Sequence, residues 1–285
     1  MCDYGIGKDK KRFTSDLAAE RRRADISVDG ISYSKERCGP FEWERICVSS
    51  EEGEESIGRP KGFYDTLNLP KIELMDEEEI MDAANEVSRE LCELCTKNNI
   101  LPGRILVVGL GNKDLTPDSV GPKSAEITEA TMQLKSLDSD MFYGLECSEI
   151  AVFAPGVSAK NGFDTALAVK SLCHAIAPDV VIAIDSLASS SSARLGRTIQ
   201  ISDTGIFPGS GLGFSGKPLN KDYLSTPVLA IGVPTVINSE RFIPDDQILP
   251  KERGMFVSPK EIDGIVKNAA RIIAGGINQA FGIFS

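Results

Sequence analysis

The stretch from Ile105 to Pro122, reading ILVVGLGNKDLTPDSVGP, constrains this chain more than any other. Ile105, Leu106, Val107 and Val108 form a continuous apolar run, the pattern of a strand buried on both faces. Gly109, Gly111 and Asn112 break the run, the acids Asp114 and Asp118 follow, and a helical pattern begins after Pro122. The loop beyond such a strand is where open α/β sheets hold their ligands. Further on, DVVIAIDSLA repeats the design, with Val180 to Ile184 apolar and Asp185 at the end. Two strand-end aspartates, Asp118 and Asp185, therefore make the candidate site.

The surrounding pattern is that of an α/β protein. Between Asp76 and Asn98, the residues Ile80, Ala84, Val87, Leu91 and Leu94 recur at spacings of three and four, which predicts a helix with one apolar face. Ala125 to Leu137 and Asp164 to Ile176 are predicted as further helices, and Ile150 to Phe153 as a short strand. RTIQISD is a candidate strand, and Val228 to Val233 a last buried one, closed by Pro234. Strand, helix, strand, helix, strand implies a mostly parallel central sheet flanked by helices, with crossover connections. Ile26 to Pro70 is less periodic and reads as a β-rich N-terminal insertion. ISVDGISYS is taken as a strand or hairpin turning at Asp29-Gly30, RICVSS and YDTLNLP as strands, and EEGEES as an acidic loop. The final helix is expected to open on a capping box, Ser258 at N-cap, Pro259 at N1 and Glu261 at N3. Its stripe is Ile262, Val266, Ala269, Ile273 and Ile277, and a kink is expected at Gly275-Gly276.

Composition removes several classes of function. A net charge of -11 over 285 residues argues against nucleic acid as a partner. No apolar run approaches the roughly 20 residues that span a bilayer. MCDYGIGKDKKRF has no apolar core of a secretory signal, so a cytoplasmic location is expected. Seven scattered cysteines do not suggest a disulfide framework. Cys92 and Cys95 form a CxxC inside a predicted helix, without a second pair, and read as helix thiols rather than a zinc or redox site.

Individual motifs carry less than they promise. GLGN lacks the third glycine of a dinucleotide loop, and Lys113-Asp114 stands in its place. Asp203-Thr204-Gly205 matches the DTG of pepsin-like proteases, but occurs once and in an α/β context. There is no GxSxG and no HExxH, and the single histidine, His174, lies on a predicted helix, where it is expected to be packed. Ser189 to Ser192 reads as a small-residue loop. KDKKRFTSDLAAERRRAD reads as an exposed arm, or as a processing site at Ser15-Asp16-Leu17-Ala18-Ala19-Glu20. If the chain is a hydrolase, carboxylates must do the work. Two held close share a proton, so that one accepts a proton from water while the other donates to a carbonyl oxygen. Spacing alone leaves structural and metal-binding roles for these acids equally open.

VVGLGNKDLTPDSVGP, APGV, PDVVIAIDSLA, GRTIQISDTGI, PGSG, VLAIGVPTVI and VSPKEID together resemble the germination proteases of spore-forming bacteria. The resemblance runs from the N-terminal arm to the last helix. It implies an α/β fold similar to hydrogenase maturation proteases, and an aspartic endopeptidase made as a zymogen and assembled as a homotetramer. Its substrates would be small acid-soluble spore proteins in the spore core, with no cofactor and no metal. The family's catalytic acids lie on its TPD and IDxLA motifs, here Asp118 and Asp185. In maturation proteases the first of these positions binds metal, and Asn112 to Asp118 keeps their spacing. The family's self-processing site, an acid, a bulky apolar residue, alanine and a nearby glutamate, falls on Asp16-Leu17-Ala18-Ala19-Glu20. Cleavage is expected between Asp16 and Leu17, leaving residues 1–16 as a propeptide arm and 17–285 as a single α/β peptidase domain. Arg194 and Arg197 are candidate contacts for acidic substrates. Phe207 replaces a histidine usual in the family, and the region between Asn238 and Gly254 looks short. A metal-dependent processing peptidase and a non-catalytic relative that only binds spore proteins are the alternative readings.

Overall fold

The structure, a computed structural model, describes residues 15–21, 29–209, 217–239 and 255–282. Among these, nine strands form one sheet: β1 (Ile31–Cys38), β2 (Phe41–Val48), β3 (Gly62–Asn68), β4 (Arg104–Gly109), β5 (Glu149–Phe153), β6 (Val180–Ser189), β7 (Thr198–Ser202), β8 (Val228–Asn238) and β9 (Phe256–Val257). The order is β1-β2-β3-β7-β8-β6-β4-β5, with β9 paired to β8. β8, β6, β4 and β5 are parallel neighbours, as expected of the central α/β unit. The β-rich N-terminal region does not sit beside this unit but extends it, because β3 pairs antiparallel with β7, and β7 with β8.

The helices are α1 (Ala18–Arg21), α2 (Glu51–Ile57), α3 (Glu77–Lys97), α4 (Val120–Ile127), α5 (Met132–Leu137), α6 (Ser139–Gly144), α7 (Ser158–Asn161), α8 (Thr165–Ile176), α9 (Lys221–Leu224) and α10 (Ile262–Phe281). Strand parity divides them into two layers. Ile105, Val107, Val180, Ile182 and Ile184 point to one face, where they pack with α3 and α10. Leu106, Val108, Val181, Ala183 and Leu187 point to the other, with Ala166, Val169 and Cys173 of α8 and with Leu17. By the same parity Asp185 belongs to the α8 face. A third, smaller cluster joins Ala18 and Ile57 to Ile46, Val48 and Tyr64. Among the described residues, no helix is long and apolar enough to cross a membrane.

Local departures from the sequence reading have physical causes. EEGEES is a helix, not a loop: the Ser50 side chain accepts from the Gly53 N–H, three acids fill the first turn, and Gly58 closes it in the left-handed region. The hairpin turns between Cys38 and Phe41, while Asp29-Gly30 forms a separate turn whose carbonyl accepts from Ser49; residues 26–28, its other expected strand, lie outside the described residues. The helix expected from Ala125 to Leu137 is two helices. Thr131 breaks it by bonding to Ser148 and Ile150, which pins the chain to β5. Pro234 does not end β8. The register shifts by one residue between Leu187 and Ala188 opposite it, and its carbonyl accepts from Gly196, so the missing N–H costs no ladder bond there. The capping box of the last helix does not form: Glu261 is the N-cap, without a side-chain hydrogen bond. Nor does Gly275-Gly276 interrupt α10. A Cβ at Gly276 would stand 2.6 Å from Val87, so glycine here lets α10 lie close against α3.

Candidate active site

The loop after β4 is built around close approaches that only glycine permits. Gly111 has φ +113, and a Cβ there would fall 2.1 Å from the Asp118 carbonyl. A Cβ on Gly121 would fall 2.3 Å from the Leu110 carbonyl and 2.5 Å from that of Ile184. The start of α4 can therefore press onto the ends of β4 and β6. The turn delivers a donor to Asp118: the Asn112 N–H bonds both the Asp118 carbonyl at 3.0 Å and its Oδ2 at 2.9 Å. Thr235 of β8 anchors the other side by donating to the Pro117 carbonyl at 2.6 Å. The Gly-Asn turn thus aims a carboxylate, not a phosphate cradle.

Asp185 is not at a strand end, because β6 continues to Ser189 through its pairing with β8. It is only 3% exposed. Oδ1 accepts from the Ser186 N–H at 2.8 Å, and the Gly209 N–H also bonds the carboxylate. Asp118 and Asp185 line one cleft of about 510 Å³, walled by Leu110, Gly156 to Ala159, Ala166, Pro208 and Gly209. Burial pushes Asp118 up to about 6, against the pull of the Asn112 N–H. Burial raises Asp185 well above the carboxylate range, and the nearby charge of Asp118 raises it further. Asp118 is therefore the acid that ionises first as pH rises, and its charge makes Asp185 hold its proton the longer.

Other candidates fall elsewhere. Asp114 is exposed and ion-paired with Lys160. Asp203 is a fastener, accepting from the Phe63 N–H at 2.8 Å and from Asn98 at 2.9 Å, so its DTG is a coincidence. His174 is exposed on α8 rather than packed, and does not line the cleft. Cys95 is in the core, where burial pushes its thiol up to about 12, and Cys92 is on the surface. Phe207 borders a small neighbouring cavity with Arg59 and Tyr64. Most of the short Asn238 to Gly254 region lies outside the described residues.

Neither arginine reaches the cleft. Arg194 is engaged by Glu44 at 3.0 Å and approaches Glu20 at 3.9 Å, and Arg197 lines a different cavity with Lys71 and Glu73. The cation that does line the cleft with the two acids is Lys217. In the sequence it follows the glycine-rich stretch 203–213, at a position with no motif to single it out.

The expected processing segment is not an exposed arm at Ser15 to Arg21. Ser15, Asp16, Leu17 and Ala18 are buried, with Leu17 and Ala18 at 0% exposure. Asp16 pairs with the tail of β6, its N–H donating to the Ala188 carbonyl at 3.0 Å and its Oδ2 accepting from the Ala188 N–H at 2.9 Å. Arg59 donates to the Asp16 carbonyl at 2.5 Å, and Gln200 accepts from the Ala18 N–H at 2.8 Å. Glu20 accepts from Ser189 at 2.5 Å, from the Ser190 N–H at 2.6 Å and from the Ser190 hydroxyl at 2.7 Å. The serine run is therefore a seat for Glu20. Residues 1–14 of the expected arm lie outside the described residues.

An α/β sheet with a histidine-free cleft and two unlike carboxyls defines a class of protein that can do acid-base chemistry with aspartates alone. The chain belongs to the germination protease family, whose sequence profile matches residues 9–249. It is 32% identical to the germination protease of Clostridium acetobutylicum over 93% of this chain and 94% of that one. With that of Caldanaerobacter subterraneus subsp. tengcongensis it shares 33% identity over 93% of each. With that of Bacillus subtilis it shares 37% over 79% of this chain and 63% of the relative. Among solved structures, a [NiFe] hydrogenase maturation protease, HycI from Thermococcus kodakarensis, matches 61% of this chain and 91% of its own. Its TM-score of 0.34 and 19% identity are too loose to bear on function.

Proposed function

We propose that this chain is an aspartic-type endopeptidase, made as a zymogen, that degrades small acid-soluble spore proteins in the spore core during germination. The observation that carries the reading is the pairing of Asp118 and Asp185 in one cleft, where burial raises both carboxyls and the charge of Asp118 raises Asp185 further. Asp118, ionised and held by the Asn112 N–H, takes a proton from a water. That water attacks the peptide carbonyl, and the acid of Asp185 donates to the carbonyl oxygen. The proton gained by Asp118 then passes to the leaving amine. Membership of the family supports a protease. The spore substrate, the homotetramer and the cut between Asp16 and Leu17 follow from the resemblance.

Purified chain incubated with a small acid-soluble spore protein should cut it and should shorten itself by 16 residues, read by mass spectrometry. Asp118→Asn and Asp185→Asn should each stop both reactions while the circular dichroism spectrum is kept. Processing at the normal rate in either variant would sink the dyad. Strong inhibition by a chelator, reversed by a divalent ion, would move the acids to metal ligation. Sedimentation of the wild type tests the tetramer.

A further inference from the structure

Resting on the cleft as a peptide site, we infer that Lys217 and Lys170, bracketing the Tyr223 ring, form a subsite that reads a carboxylate side chain of the bound peptide. Lys217 lines the cleft that holds Asp118 and Asp185. Its ammonium stands 5.6 Å from the Tyr223 ring centroid, and that of Lys170, on α8, stands 4.6 Å from the same ring. Tyr223 belongs to α9, which packs on α8, so the three side chains are fixed by two neighbouring helices and the strand of chain entering α9.

Acids outnumber bases 42 to 31 in the chain, and several lysines and arginines around the sheet are taken up by carboxylates such as Glu42, Glu44 and Glu90. Among the described residues, neither Lys170 nor Lys217 lies within ion-pair distance of an acid. Both are exposed and held only against an aromatic face. Cation–π contact fixes the ammoniums without neutralising them. Lys217 does not compensate the dyad either, since Asp118 is governed by burial and the Asn112 N–H, with no cation opposing them.

The ligand class follows from the charges. Asp118 is ionised at neutral pH and repels a second carboxylate that enters the cleft. An acidic peptide needs a cation some way from the dyad to offset this, and Lys217 with Lys170 supplies two. Lysine gives a point charge on a flexible stem rather than a rigid fork, which suits a site accepting either aspartate or glutamate.

The test uses Asp185→Asn chain, so that nothing is turned over, and two capped, fluorescent hexapeptides, Ser-Asp-Leu-Ala-Ala-Glu and Ser-Asn-Leu-Ala-Ala-Gln. Fluorescence anisotropy should show the acidic peptide binding about five- to tenfold more tightly, a preference that shrinks as salt is raised. K217Q should reduce the preference, and K170Q/K217Q should abolish it while the amide peptide binds as before. Undetectable or equal binding of the two peptides to the parent chain overturns the inference, as does a preference that survives the double variant. Turnover by chain with both aspartates intact is scored separately. Binding with the acid preference but no cutting counts against the hydrolase reading alone, and equal cutting of both peptides counts against the lysine subsite alone.

Discussion

Asp118→Asn separates what the cleft does for chemistry from what it costs the fold. Asp118 is raised from its ordinary 3.8 to about 6, chiefly because burial penalises its charge. A change of that size is worth at most about 3 kcal/mol, and partial contact with water trims it to about 1–2 kcal/mol. The sign is fixed by linkage: the folded state holds the proton more tightly than the unfolded chain, so this stability is complete below 3.8 and lost as pH rises through about 6. Asparagine carries no charge to desolvate and its oxygen can still accept from the Asn112 N–H. The variant should therefore be more stable than wild type by about 1–2 kcal/mol at pH 7.5, with the advantage fading as pH falls and gone near pH 3.5. Urea unfolding of both chains at a series of pH values, compared at unchanged m, measures it. A variant less stable than wild type at pH 7.5, or an advantage that does not change with pH, would refute the account of Asp118 as a strained charge.

The same carboxyl predicts that cleavage by the wild type rises as pH increases through about 6, where Asp118 becomes able to take a proton; a pH profile of initial rates flat from 5 to 7 would contradict it. Gly111→Ala should lose more than about 2 kcal/mol by urea unfolding and most activity, since both φ +113 and a contact of 2.1 Å with the Asp118 carbonyl oppose a Cβ. Arg59→Met should loosen Ser15 and Asp16 and make the Asp16–Leu17 bond more open to added protease, read as the rate of appearance of the 17–285 fragment. Asp65 is raised to about 8 by burial and by Glu90, with Arg45 between them at 3.1 and 2.5 Å, so it favours the fold below 3.8 and that contribution is lost as pH rises through about 8. Glu90→Gln should remove much of this fall, seen in urea midpoints between pH 7 and 9.

The parts of this fold that were legible are those that local pattern determines. The apolar runs at Ile105 to Val108 and Val180 to Ile184 became parallel neighbours, and the stripe from Ile80 to Leu94 became the buried side of α3. Asp185 was legible as a candidate but not in its setting. Pairing with β8 across a one-residue register shift carries β6 beyond it, and no pattern in DSLAS announces a partner more than 40 residues away. EEGEES looked like a loop because its acids carry no apolar stripe, while the decisive capping groups, Ser50 and Gly58, lie just outside it. Asp16 and Glu20 looked solvated for the same reason. Their partners are backbone and hydroxyl groups about 170 residues on, at Ala188, Ser189 and Ser190, which hydropathy does not register.

That last contact network changes what processing requires. The tail of β6 that seats Asp16 begins three residues after Asp185, and Leu17 packs on the same face of the sheet as Asp185. The expected processing segment thus rests on the strand that carries Asp185. The Asp16 carbonyl, however, is bonded by Arg59, and Asp16 borders the small cavity beside Phe207 rather than the cleft of Asp118 and Asp185. An aspartate dyad must bring its water and its acid to the carbonyl it attacks, within hydrogen-bond reach. A carbonyl already held by Arg59 in a neighbouring cavity is not so presented. Cutting between Asp16 and Leu17 therefore requires the segment to leave its seat first, which breaks the Ala188, Arg59 and Gln200 bonds together and exposes Leu17. For the proposed self-cleavage, the strength of that seat, rather than any defect in the dyad, is the physical quantity that would set the rate.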